Sequence, residues 1–178
     1  MKDRKKVLFL TQAAVIAALY AALTAAQHFL LPGSASMAVQ FRVSEAMTLL
    51  AVLTPAAIPG LTVGCFLVNF LFIQALPVDM ILGSLATLLA AISMYLLRGI
   101  RFKGLPLLAA LMPAIFNGII IGAEIEIFFV EGPFRFTDFL VQGGCVALGE
   151  LVVCFTLGLL LFKALDRPQF RRFLVLES

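Results

Sequence analysis

The sequence contains little charge, no tryptophan and a single histidine. Only 13% of its 178 residues are charged and 62% are hydrophobic. A soluble domain has about 25% charged residues and about 45–50% apolar ones. A soluble fold of this length could not bury so much apolar surface. The composition therefore excludes a soluble domain, a disordered chain and a nucleic-acid-binding surface, and it predicts an integral membrane protein.

Cysteine and histidine are too scattered to build a metal or cofactor site. Cys65, Cys145 and Cys154 stand singly in apolar runs, and His28 has no second histidine beside it. This pattern argues against a disulfide framework and against a zinc site. The sequence also lacks a P-loop, an HExxH motif and a Ser/His arrangement of the hydrolase kind. We therefore predict no metal, no cofactor and no enzymatic activity.

Long apolar segments predict six transmembrane helices. A spanning helix needs about 20 apolar residues, because the hydrocarbon core is about 30 Å thick. Five segments meet or nearly meet this length, and the sixth does so only if it includes Gln40, Arg42 and Glu45, since Pro55 follows its end. The predicted spans are residues 7–31, 36–53, 56–76, 80–97, 105–123 and 139–165. The sequence thus predicts a single all-α transmembrane domain over residues 1–178.

Lysine and arginine are distributed unevenly between the two ends of these spans. Of the thirteen, all but Arg42 and Arg135 lie at one end of the predicted bundle. By the positive-inside rule, this asymmetry predicts that both termini are cytoplasmic. The protein would then be a multi-pass protein of the cell membrane.

Pairs of alanines recur every four residues along the first predicted helix. The pairs begin at Ala13, Ala17, Ala21 and Ala25. Because four residues are slightly more than one helical turn, the pairs form a ridge of small side chains that another helix can approach closely. The ridge could pack within the protein's own bundle or against a partner subunit, and four consecutive repeats favour the partner slightly.

Polar side chains lie at membrane depth in the outer half of the predicted bundle. Such residues are costly in lipid, so they face the bundle interior or a water-filled cavity. The candidate ligand-binding residues are Gln40, Arg42, Glu45, Asn69, Asp79, Asn117, Glu124 and Glu150. With Phe41, Phe66, Phe70 and Phe116 as possible walls, they predict an outward-facing, negatively charged pocket. A flat, neutral or cationic aromatic ligand would suit it.

Each candidate also has a structural interpretation. Arg42 and Glu45, three residues apart, could form an ion pair on one helical face. Asp79 could cap its helix, and Asn69 and Asn117 could link neighbouring helices. The acids of the outer connections could simply be solvated; they are Glu124, Glu126, Glu131 and Asp138. Glu150 is harder to explain in this way, because a carboxylate near the midplane needs a partner or a proton.

Three short segments carry a family resemblance. Residues 39–46 read Val-Gln-Phe-Arg-Val-Ser-Glu-Ala, residues 54–60 read Thr-Pro-Ala-Ala-Ile-Pro-Gly, and residues 82–91 read Leu-Gly-Ser-Leu-Ala-Thr-Leu-Leu-Ala-Ala. Together with Gly64-Cys65 they resemble the QueT family. Its members are membrane substrate-binding (S) components of energy-coupling factor transporters and are assigned to queuosine precursors. The resemblance extends from the first predicted helix through the sixth.

The resemblance implies a fold, partners and a ligand. It implies a six-helix S-component bundle with both termini inside, which docks onto a transmembrane coupling subunit driven by two cytoplasmic ATPase subunits. In such proteins an Ala-xxx-Ala face of the first helix contacts the coupling subunit. The corresponding residues here are Ala14, Ala18, Ala22 and Ala26. The implied ligand is a deazaguanine-type base, either an aminomethyl-deazaguanine or queuine.

Such a base matches the candidate residues chemically. Its N–H groups can donate to a carboxylate, and its carbonyl can accept from Arg or Asn. The residues expected to bind are Glu45 or Glu150 at the guanine-like edge, Asn69 or Asn117 at the carbonyl, and Asp79 or Glu124 at the aminomethyl cation. Arg42 would orient Glu45.

Two alternatives stay open on the sequence alone. The chain could be an S component for another vitamin or nucleobase, which a ligand screen would distinguish. It could instead be a self-sufficient small transporter, which would move substrate in vesicles without an ATPase. The second alternative also includes a structural membrane subunit, which would bind no small molecule.

Overall fold

The structure is a computed structural model that describes residues 2–31, 41–71 and 77–170. These residues form helices joined by short connections, with one isolated bridge between Phe102 and Leu105. Within the described ranges, the helices long and apolar enough to cross a bilayer are Asp3–Leu30, Pro77–Leu96, Leu107–Phe128 and Phe136–Leu165. The predicted all-helical membrane protein is therefore confirmed.

Two helices are interrupted or unusual in geometry. In chain order, the elements are α1 (Lys2–Leu30), a 3₁₀ helix (Val43–Val52), α2 (Ala57–Leu71), α3 (Pro77–Leu96), α4 (Leu107–Ala110), α5 (Met112–Phe128), α6 (Phe136–Val153), a π-helical turn (Cys154–Gly158) and α7 (Leu159–Leu165). The last three elements, α6, the π-helical turn and α7, form one continuous helical span from Phe136 to Leu165. The 3₁₀ helix and α2 are apolar but shorter than the four long helices.

The 3₁₀ helix lies at the centre of the molecule. Its residues from Ser44 to Val52 are all buried, and Leu49 and Ala51 have no exposed surface. Runs of 3₁₀ helix longer than three or four residues are uncommon because their hydrogen bonds are poorer. Here the surrounding helices hold the segment on every side. Because 3₁₀ helix rises about 2.0 Å per residue, its ten residues extend about 20 Å.

Glycines bring two pairs of helices into backbone contact. A Cβ atom on Gly122 of α5 would lie 2.8 Å from the main-chain nitrogen of Gly143 on α6. A Cβ atom on Gly60 of α2 would lie 2.7 Å from the carbonyl oxygen of Ala13 on α1, and one on Gly64 would lie 3.0 Å from that of Ala17. One row of the alanine ladder therefore packs inside the protein.

Helix α1 is attached to the bundle along one side only. In its most apolar stretch 22% of the residues are buried, whereas the other three long helices bury 39–50%. The outer row of the alanine ladder is exposed along its whole length; it comprises Ala14, Ala18, Ala22 and Ala26. The two rows of the ladder thus have different environments.

Candidate functional site

Glu45, in the first turn of the 3₁₀ helix, is only 1% exposed. Its Oε1 atom accepts a hydrogen bond from the hydroxyl of Tyr20 on α1, whereas its Oε2 atom has no hydrogen-bond partner among the described residues. One turn further along α1, the Thr24 hydroxyl donates to the Ser44 hydroxyl at 2.7 Å. An unpaired buried carboxylate oxygen is costly, so Oε2 is a candidate acceptor for a ligand.

Arg42 directly precedes the 3₁₀ helix in an extended conformation, with φ −99° and ψ 104°. The side-chain amide of Gln27 bonds to both of its neighbours: Nε2 donates to the carbonyl oxygen of Phe41, and Oε1 accepts from the main-chain nitrogen of Val43 at 2.8 Å. The half-buried guanidinium makes no hydrogen bond or ion pair with any described side chain. It is therefore available to a ligand.

The expectation that Arg42 could pair with Glu45 on one helical face is not met by an ion pair among the described residues. That expectation assumed that both residues belong to one helix, but Arg42 lies outside the helix in extended backbone. Its side chain therefore does not follow the i, i+3 direction on which the pairing depended. The hydroxyl of Tyr20 makes the hydrogen bond that holds the Glu45 carboxylate.

Glu150 approaches the same region from α6. It is 4% exposed, and its Oε1 accepts a hydrogen bond from Asn117 Nδ2 of α5 at 3.2 Å. Its Oε2 has no partner within the described part of the chain. The π-helical turn begins four residues later at Cys154, whose thiol lies 3.8 Å from the main-chain oxygen of Glu45. Turns of this type often occur at functional sites, and this one, which connects α6 to α7, packs against the 3₁₀ helix.

A second pair of carboxyl groups lies between α5 and α3. The Glu124 carboxyl is within hydrogen-bonding reach of that of Asp79, which is half-buried in the first turn of α3. Glu124 itself is 2% exposed, and its Oε1 has no partner among the residues described. Two facing carboxylates repel each other unless a proton or a cation lies between them. The pair is therefore suited to a cationic group.

The charges of these residues act on one another. The guanidinium of Arg42 lies within electrostatic range of Glu45, Glu124 and Glu150. With Asp79 beside Glu124, the cluster contains four carboxyl groups and one guanidinium. Acidic groups thus outnumber basic ones in the cluster, and it favours a ligand that brings N–H donors or a cation.

The remaining predicted contacts lie elsewhere. Asn69 donates to the main-chain oxygen of Asp79 at 3.2 Å and links α2 to α3, which is its structural interpretation. Gln40 lies outside the described residues. Phe66 and Phe70 are 43% and 63% exposed, so neither forms a buried wall of the cluster.

Sequence reasoning missed several buried polar residues. Tyr20, Thr24 and Gln27 lie four and three residues apart, so they form a polar stripe on an otherwise apolar helix. That spacing is visible in the sequence and is the signal that would have found them. Glu126, considered as a solvated loop acid, lies inside α5 and is 3% exposed. Its Oε1 accepts from the main-chain nitrogen of Arg135 and anchors the start of α6.

The exposed alanines lie on the side of α1 opposite the polar stripe. Ala18 and Ala22 are two residues before and after Tyr20, and about 100° of rotation per residue turns each about 160° away from it. Tyr20 is 2% exposed, whereas both alanines are exposed. Helix α1 therefore contacts the candidate site with one face and leaves the other uncovered.

Comparison with known proteins identifies related chains. The family model for the QueT transporter matches residues 10–167. Among curated proteins, the chain is 33% identical over 148 residues to the queuosine precursor transporter QueT of Lactococcus lactis subsp. cremoris (strain MG1363). The alignment covers 80% of this chain and 83% of that protein. No solved structure matches the chain significantly.

Proposed function

Because this chain belongs to the QueT transporter family, and is a transporter rather than an enzyme, we propose that it is the substrate-binding component of an energy-coupling factor importer for a queuosine precursor. The matched relative is named as a queuosine precursor transporter. One structural observation carries the proposal. Glu45, Glu124 and Glu150 each keep an oxygen that no described residue bonds, and all three lie within electrostatic range of the Arg42 guanidinium, which bonds to no described side chain.

A deazaguanine base supplies the groups that this cluster lacks. Its exocyclic amino group and ring N–H donate to the free oxygens of Glu45 and Glu150. Its carbonyl accepts from Arg42 in a charge-assisted hydrogen bond. Arg42 takes this role because its guanidinium has no partner among the described side chains, whereas Asn69 and Asn117 donate to Asp79 and Glu150.

The aminomethyl group of the base binds the second pair of carboxyl groups. Glu124 and Asp79 face each other, and a protonated amine between them would neutralise their repulsion. This contact gives the amine-bearing base an advantage over guanine, which has no such group. The cluster therefore recognises both ends of the ligand.

The uncovered face of α1 is proposed to bind the transmembrane coupling subunit. Its small residues, Ala14, Ala18, Ala22 and Ala26, would let a partner helix approach closely. The partner subunit would connect this chain to two cytoplasmic ATPase subunits, which hydrolyse the ATP. Support comes from the exposure of this row and from the small buried fraction of α1.

The chain, a multi-pass protein of the cell membrane, is proposed to cross the bilayer six times with both termini in the cytoplasm. The 3₁₀ helix extends about 20 Å and α2 about 22 Å, so each supplies most of a crossing of about 30 Å. The uneven distribution of lysine and arginine supports this orientation.

Binding to the detergent-purified chain tests the proposal. Calorimetry with aminomethyl-deazaguanine should show tight binding that guanine displaces weakly and that riboflavin and biotin do not displace. If another vitamin binds and the deazaguanine does not, the ligand assignment is wrong. Uptake by vesicles that contain this chain without any ATPase would contradict its role as a substrate-binding component.

A further inference from the structure

We propose that the polar face of α1, formed by Tyr20, Thr24 and Gln27, positions Arg42 and Glu45 for the ligand and thereby sets the selectivity of the site. This inference rests on the proposed function. In it, none of the three α1 residues contacts the ligand. They act through the segment 41–45, which carries both ligand-binding side chains.

Gln27 fixes the backbone on both sides of Arg42. Its amide bonds to the carbonyl of Phe41 and the main-chain nitrogen of Val43, much as an adjacent strand pairs with an extended residue. Arg42 itself has no side-chain partner among the described residues, so its direction depends on this backbone. Without the Gln27 amide, the guanidinium of Arg42 would no longer be held where it can donate to the carbonyl of the base.

Tyr20 fixes the carboxylate of Glu45. Its hydroxyl occupies Oε1 and leaves Oε2 as the free acceptor. A carboxylate without this bond could rotate about its terminal torsion, which is broad for glutamate. Thr24 completes the attachment through Ser44, the neighbour of Glu45. Together with the two bonds of Gln27, these bonds hold the two recognition groups in one arrangement.

The chain provides a matched control for each variant. Tyr20→Phe removes one hydroxyl, and Tyr95→Phe removes the same group from the other tyrosine, which contacts Arg98 outside the site. Gln27→Met removes the bonding amide, and Gln12→Met does so on the same helix, where Gln12 accepts from Thr54 at 3.3 Å. Thermal unfolding should show that all four variants are folded.

Two analogues distinguish positioning from general structural damage. We expect Tyr20→Phe and Gln27→Met each to weaken aminomethyl-deazaguanine binding about 10- to 100-fold, the range for a hydrogen bond to a charged group. Tyr20→Phe should have little effect on an analogue whose guanine-like edge carries no N–H donors. Gln27→Met should have little effect on an analogue without the ring carbonyl. Both controls should bind like the unmodified chain.

Several outcomes would overturn the inference. Equal losses for the base and for the matched analogue would mean that the α1 face has only a structural role. Wild-type affinity in Tyr20→Phe and Gln27→Met would mean that it has no role in recognition. If either variant fails to fold, Thr24→Val tests the same attachment, and unchanged selectivity there would contradict the proposal. If the unmodified chain binds no deazaguanine, the proposed function itself fails, and the positioning role fails with it.

Discussion

The two halves of the candidate site are held in place by different kinds of contact. On the side of α1, hydrogen bonds from Tyr20 and Gln27 hold Glu45 and the backbone around Arg42. On the side of α5 and α6, the helices that carry Asn117 and Glu150 meet through glycines at van der Waals distance.

The difference assigns different properties to the two halves. Close-packed backbones cannot shift without clashes, so the α5–α6 half is a fixed wall. Side-chain hydrogen bonds allow small adjustments, and the opposite face of α1 is open to a partner. Stability should therefore depend most on the glycine contacts, whereas ligand affinity should depend on both halves.

The largest expected effect comes from a side chain between α5 and α6. Gly122→Val places a Cβ 2.8 Å from the main-chain nitrogen of Gly143, so the helices must separate. We expect a loss of about 3 kcal/mol in the free energy of unfolding, the upper range for overpacking. Thermal unfolding in detergent measures it. Gly144→Val is the control, because a Cβ there meets no atom within 4 Å. Equal unfolding temperatures for Gly122→Val and Gly144→Val would contradict the view that stability depends most on the glycine contacts.

A bulky residue on the uncovered face of α1 should stop uptake without affecting binding. Ala22→Trp fills the groove that a partner helix would occupy. We expect uptake in vesicles with the coupling subunits to fall to the level of vesicles without them, while calorimetry gives the wild-type affinity. Val141→Trp places the same bulk on an exposed position of α6 and should transport normally. Normal uptake by Ala22→Trp would show that partner docking does not use this face.

Removal of one acceptor from each half should weaken binding by similar factors. Glu45→Gln and Glu150→Gln each lose a charge-assisted hydrogen bond, so we expect a 10- to 100-fold lower affinity, or about 1.4–2.8 kcal/mol. The measurement is calorimetry with aminomethyl-deazaguanine. Glu131→Gln, an exposed loop variant, should bind normally. Wild-type affinity in either glutamate variant would remove that half from the site.

The smallest effect is expected away from both halves. Arg101 pairs with Asp166 at 2.7 Å, and both side chains are partly exposed. Because such pairs contribute little, Arg101→Ala should lower the free energy of unfolding by about 1 kcal/mol or less. Ligand affinity should not change. A clear loss of affinity would show that this end of the bundle is coupled to the site.

Composition and apolar length were sufficient to predict the fold class. In lipid every spanning backbone must satisfy its own hydrogen bonds, so a long apolar run has few alternatives to a helix. The segments Asp3–Leu30 and Phe136–Leu165 illustrate this point. The number of crossings and the orientation of the termini stay predictions.

Local geometry could not be predicted in the same way. Other helices bury the 3₁₀ segment Val43–Val52, and Arg42 in front of it is extended rather than helical. Glu126 was considered a solvated loop residue, but it lies in a helix because α5 continues to Phe128, beyond the expected end of the apolar run. Both errors arise where tertiary contacts decide the local structure.

The sequence identified the charged residues of the candidate site better than the hydrogen bonds that hold them. The structure brings together six of the expected side chains: Arg42, Glu45, Asp79, Asn117, Glu124 and Glu150. Intramembrane carboxylates stand out in an apolar sequence. Tyr20 lies 25 residues from Glu45, and Gln27 lies 16 residues from Val43, whose main chain it bonds, so no local pattern specifies these pairings.

In the proposed arrangement, the ligand lies between the two halves of the candidate site. A structure of the purified chain with bound aminomethyl-deazaguanine tests it most directly. We predict that the guanine-like edge lies within hydrogen-bonding distance of Glu45 and Glu150, with the carbonyl at Arg42 and the amine between Asp79 and Glu124. Density for the base elsewhere, with Glu45 and Glu150 free of it, would show that the ligand does not bind between the two halves.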